Sequence, residues 1–224
     1  MIKILTFCAA TLLPVAGFAT TTIDFDGLDN SSSQSLLTQF TEDGFTFDVS
    51  SVSDGTSEGV SVFNTLCTGA SCNGDEDLVP ATQGENGVEG NVLVLQERNS
   101  NFSDDDVRGG LFVLTLAAGE DFRFLGASAI DDTTFNFGTR INGVDTFLGS
   151  VANDDDSETG KVTFFSDVLT VGDSILVRSL GSGGFDSLLL EEVVLTPPVP
   201  LPAGLPLLIG SLAAFGFLRR RAAV

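Results

Sequence analysis

From Phe45 to Leu195 the chain is a succession of short apolar runs, each closed by Gly, Asn, Asp or Ser. In FTFDVSS (Phe45 to Ser51), Phe45, Phe47 and Val49 alternate with polar neighbours. This period of two belongs to a strand with one face in a core. VSVF, NVLVLQE, GLFVLTLA, FRFLGASAI, TFNFGTRI, VDTFLGSVA, KVTFFSDVL, SILVRSL and SLLLEEVVL follow. Asn142-Gly143 is the clearest hairpin signal, because both central residues of a type I′ turn need positive φ. A helical period holds only over SSSQSLLTQF (Ser31 to Phe40), where one short helix is expected. GSGGFDS (Gly181 to Ser187) reads as a turn between two strands. Thr65 to Gly90 and Asn153 to Gly160 read as polar loops. The pattern predicts an all-β fold, an antiparallel two-sheet sandwich of the jelly-roll kind.

Both ends depart from this pattern. At the N-terminus, Lys3 precedes a mostly apolar stretch from Ile4 to Val15, and Gly17-Phe18-Ala19 supplies small residues for a cut. That is the form of a secretory signal peptide over 1–19. At the C-terminus, Leu201 to Leu218 carries no charge, and Arg219, Arg220 and Arg221 follow at once. Eighteen helical residues reach about 27 Å, enough to cross a bilayer core. Basic residues stay on the cytoplasmic side, so the preceding body would face outward. Residues 20–198 then form one domain, large enough to bury on the order of 70% of its unfolded surface.

All 31 acidic residues lie in that body with only six Lys and Arg, for a net charge of −25. Such a field repels nucleic acid and keeps copies of the protein apart. Of the three cysteines, Cys8 falls in the signal segment. Cys67 and Cys72 form a pair in an exported chain, and a local disulfide is expected. The chain has no His, Trp or Tyr. Nucleophilic triads that rely on imidazole are therefore excluded. With so many acids, a pair at glycosidase spacing has no diagnostic value, and no catalytic residue is expected.

Calcium is bound by clustered oxygen ligands. NGDEDL, SDDDVRGG and NDDDSETG concentrate carboxylates in loops, and a structural calcium ion is one reading of them. Solvated loop tips are the other.

Val199-Pro200-Leu201-Pro202-Ala203, the apolar span and the terminal arginines stand in fixed order over the last 26 residues. This arrangement closely resembles the PEP-CTERM class of bacterial sorting tails in its VPLPA form. The resemblance implies that Val199, Pro200, Leu201, Pro202, Ala203, Arg219, Arg220 and Arg221 form a sorting and processing signal. It also implies that exosortase, a membrane peptidase, reads the signal. Residues 199–224 would hold the protein transiently in the inner membrane before it reaches the cell surface or the extracellular space. More loosely, FNTLCTGASCNGDEDLVP, GNVLVLQE and DDDVRGGLFVLTL resemble a pattern of exported surface proteins. That pattern marks Asp75, Asp77, Leu78, Glu97, Asp105, Asp106, Gly109 and Gly110. Asp75, Asp77, Asp105 and Asp106 are the candidate calcium ligands.

The expected function is that of a non-enzymatic exported surface or extracellular-matrix protein, handled by the secretion machinery and exosortase. The alternative is a calcium-dependent carbohydrate-binding module that retains exopolysaccharide.

Overall fold

The computed structural model divides into a unit spanning Met1–Val193 and a second spanning Val194–Val224. It describes residues 19–28, 36–53, 59–68, 78–97, 108–131, 133–155 and 157–193, all in the first unit. The signal segment up to residue 18 and the tail from 194 onward, with Val199 to Ala203 and Arg219 to Arg221, lie outside the described residues. So do Cys72, Asp75, Asp77, Asp105 and Asp106. Among the described residues no helix is long and apolar enough to cross a membrane.

The fold is all-β and consists of two antiparallel sheets. The strands are β1 (Thr20–Ile23), β2 (Gln39–Glu42), β3 (Phe45–Ser53), β4 (Gly59–Asn64), β5 (Asn91–Gln96), β6 (Gly110–Ala118) and β7 (Phe122–Ile130). They continue with β8 (Thr134–Ile141), β9 (Val144–Ala152), β10 (Thr159–Thr163), β11 (Val168–Leu169), β12 (Ser174–Ser179) and β13 (Gly184–Glu192). One sheet runs β10-β7-β13-β5-β4, with β1 added on β13 and β11 on β7. The other runs β2-β3-β6-β12-β8-β9.

Phenylalanine fills the space between the sheets. Phe112 of the six-stranded sheet meets Phe185 of the seven-stranded sheet edge to face at 4.8 Å, and Phe122 receives Phe45 at 5.4 Å and Phe47 at 5.9 Å. Such pairs add about 0.5–1.5 kcal/mol each beyond their burial. A phenyl ring has no polar atom to satisfy, so it packs here without a hydrogen-bond partner. β5 is buried at every position because both of its faces are covered. Leu93 and Leu95 point into the sandwich, while Val92 and Val94 join Phe63, Leu78, Val88 and Ile130 in a second cluster. Leu78 and Val88 come from the long polar connection after β4, which therefore lies on the outer face of the seven-stranded sheet.

Three local expectations are corrected. The helix expected over Ser31 to Phe40 is absent from its described part, where Gln39 and Phe40 open β2. Phe40 packs on Phe25 and Phe47, and Asp43-Gly44, with φ of 47° and 86°, turns the chain straight back into β3. Burial of one ring and a tight hairpin outweigh a weak helical period. KVTFFSDVL divides into β10 and β11, because Phe164 turns in against Phe124 and the Ser166 hydroxyl accepts the Phe124 N–H at 2.8 Å. GSGGFDS is only partly a turn, since Gly184 to Ser187 already belong to β13. The Asn142-Gly143 hairpin forms as expected, with φ of 53° and 79°.

Candidate binding face and a buried carboxyl group

Strand register arranges the outer face of the six-stranded sheet in three rows that cross β3, β6, β12, β8 and β9. The first row is Asp48, Thr115, Ser174, Arg140 and Asp145. It is polar throughout, and its members pair among themselves. The Thr115 and Ser174 hydroxyls lie 2.9 Å apart, and Arg140 grips Asp145 through two hydrogen bonds of 2.6 and 2.8 Å. Those bonds hold the Asp145 carboxyl below its ordinary range. At the row's end, Asp48 accepts the Gln39 amide at 2.7 Å.

The second row is Ser50, Val113, Leu176, Gly138 and Phe147. Val113 and Leu176 are buried, and Phe147 at the end is 46% exposed. Gly138 has a structural reason: a Cβ there would sit 2.3 Å from the Thr146 carbonyl oxygen, at the bulge where β9 gains a residue. The third row is Val52, Leu111, Arg178, Asn136 and Ser150. Val52 is 60% exposed, and the Arg178 Nε is buried without a hydrogen-bond partner. The five strands cover about 19 Å across. An apolar row thus lies between two rows of donors and acceptors.

The outer face of the seven-stranded sheet is closed by contrast. The Gly84 to Asn91 turn clamps it: Ser128 Oγ donates to Asn86 O, Ser187 Oγ donates to Gly87 O, and the Asn86 amide donates to Thr159 O at 2.7 Å.

Beneath that clamp, carboxyl groups gather where β1 meets β13. Asp186 is 1% exposed and accepts the Glu89 and Ser187 N–H groups at 3.2 and 2.5 Å. Burial pushes its pKa up to about 8, with further upward pressure from Asp24 and Asp26. Asp26 accepts the Asn91 N–H at 2.9 Å. At the end of β2, burial and then a hydrogen bond shared with Asp24 raise Glu42 to about 7. Among the described residues, no three acidic or thiol side chains are arranged to hold a metal ion.

Neither group was named from sequence. The face needs the register of five strands, and the carboxyl group joins residues 24, 42 and 186. Of the residues marked from sequence, Cys67 packs at the edge of the Phe63–Val88 cluster, and Leu78 is buried within it.

No protein-family profile and no curated protein matches the chain. Solved structures with a similar course include a mutant of the CBM29-2 module of carbohydrate-binding family 29. It has a TM-score of 0.35 and 10% identity, over 82% of this chain and 100% of that one. A second mutant of that module aligns at 0.34 and 12%, over 79% of this chain and 86% of that one. A β-(1,4)-mannanase from Podospora anserina, annotated by its name as GH26-CBM35, aligns at 0.30 and 15%, over 70% of this chain and 29% of that one.

Proposed function

We propose that this chain is a non-catalytic, exported β-sandwich that holds polysaccharide on the outer face of its six-stranded sheet. The observation that carries this reading is the three-row face, with an apolar row between two rows of hydroxyl, amide and guanidinium groups. A pyranose presents C–H surfaces bordered by hydroxyls, so the same alternation suits it. Sites of this kind fix orientation with a few placed polar groups. Co-sedimentation of the full-length protein in detergent with insoluble β-glucan and mannan tests it. Retention that falls when Phe147 and Arg140 are both changed to Ala is the expected result, and equal recovery in the supernatant with and without polymer overturns it.

Delivery to the surface is the second part of the proposal, and it rests on the tail alone. Val199 to Ala203, the uncharged span and Arg219 to Arg221 match the requirements of a sorting signal read by exosortase at the membrane. The two prolines hold that segment extended and within reach of a peptidase. Intact-mass measurement of the protein from an exosortase-competent host is expected to show a start near Thr20 and loss of Arg219 to Arg221. An uncut C-terminus in that host rejects the sorting role and leaves the binding face untouched.

A further inference from the structure

Resting on the polysaccharide-holding reading, we infer that the polymer is uncharged and that Arg178 is its principal anchoring donor, with Asn136 beside it. Arg178 lies in the third row, directly between Leu111 on β6 and Asn136 on β8. Its Nε is buried, yet no acceptor lies within hydrogen-bond distance. A buried donor left unmet costs about 1–3 kcal/mol, and more when it is charged. That cost is recovered if a ligand oxygen completes the bond. The other guanidinium of the face, on Arg140, is already committed to Asp145.

Charge selects the class of polymer. The body carries a net charge of −25. A uronate chain brings one carboxylate per residue into that field, and a single arginine does not offset a repeated charge. An amino-sugar chain brings ammonium groups. On this face Asp145 is paired with Arg140 and Asp48 with Gln39, while Arg178 itself repels a cation. Neutral hydroxyls meet neither obstacle. They accept from the guanidinium fork and both accept from and donate to the Asn136 amide. The exposed Val52 at the end of the row offers apolar surface for a C–H face.

Affinity electrophoresis of the full-length protein in detergent tests this in gels holding galactomannan, sodium alginate or chitosan. Retardation in galactomannan alone is expected. Arg178→Ala weakens it at least about tenfold, from the loss of charge-assisted hydrogen bonds. Arg178→Lys recovers only part, because a point charge does not reproduce the planar fork. Asn136→Ala weakens binding less, and Arg123→Ala on the opposite sheet leaves it unchanged. Far-ultraviolet circular dichroism confirms that each variant is folded, and Arg178→Lys stands in if Arg178→Ala is not. Retardation in alginate or chitosan rather than galactomannan overturns the inference of an uncharged polymer while the polysaccharide-holding reading stands. Unchanged galactomannan binding by both Arg178 variants overturns the role of Arg178. No retardation in any gel defeats the underlying reading, and the inference with it.

Discussion

Glu42, at the end of β2, accepts the backbone N–H of Asp24 at 3.1 Å. Its second carboxyl oxygen takes the N–H of Phe25 at 3.2 Å, so one side chain from the six-stranded sheet secures the exit of β1 from the seven-stranded sheet. Phe25 has a φ of 61° and is fully buried against Phe40 and Phe185. The contact that holds this turn is therefore a buried carboxyl whose proton affinity is raised by the same burial.

Stability is predicted to fall as pH rises from about 5 toward 8.5. Glu42 is raised from 4.5 to about 7, and Asp186 from 3.8 to about 8. A raised carboxyl contributes fully below its unfolded value, and the contribution is lost as pH climbs through the folded one. Asp173 acts oppositely: its carboxyl is held low by hydrogen bonds from Thr170 and Asn142. Its contribution fades as pH drops below the ordinary carboxylate range. Melting temperature measured across this window is the check. The slope between pH 6 and 8.5, rather than the absolute value, flattens in Asp186→Asn and in Glu42→Gln. A flat profile in the parent protein would refute this account.

Asn91→Ala is expected to destabilise by about 2–3 kcal/mol, because two buried carbonyls lose a donor. The Asn91 amide donates to Phe25 O and to Leu28 O, both at 3.1 Å, and the residue is 3% exposed. Urea unfolding gives the number, and a change under 0.5 kcal/mol would show that water replaces the amide.

Phe185→Ala removes the ring that touches Phe25 and Phe112 at once. Truncating a buried Phe costs about 3–5 kcal/mol, through lost transfer energy and the cavity left behind. Phe147→Ala, on the exposed face, changes stability by no more than about 0.5 kcal/mol. Paired unfolding curves test both, and similar losses for the two would contradict the assignment of Phe147 to the surface.

Gly126→Ala is predicted to unfold the edge between β7 and β10. An added Cβ would stand 2.4 Å from the Val162 carbonyl oxygen, a backbone atom that moves only with its strand. Gly143→Ala meets nothing within 4 Å but sits at φ 79°, so it costs only about 1 kcal/mol from the left-handed conformation. Thermal melts of the two variants should separate clearly.

Much of the strand pattern was legible along the chain. FTFDVSS, GLFVLTLA and FRFLGASAI alternate where one face is buried, and Asn142-Gly143 carries its own turn chemistry. NVLVLQ is recognisable as a strand, although its periodicity does not say what covers the second face. The helical period near Leu36 and Leu37 misled, because four residues of β2 are too few to establish a period of two against it. Asp43-Gly44 was the overlooked hairpin signal.

The sequence by itself determined the alternation of buried and exposed positions, the charge of the body and the absence of imidazole chemistry. Each is a property of residues close together or of composition. The tertiary structure alone decided that Arg178 lies beside Asn136 and that Asp24, Glu42 and Asp186 gather at one junction. These neighbours are separated by tens to more than a hundred residues. Their meeting depends on which strands pair and in what register, and local residue preferences do not encode that choice.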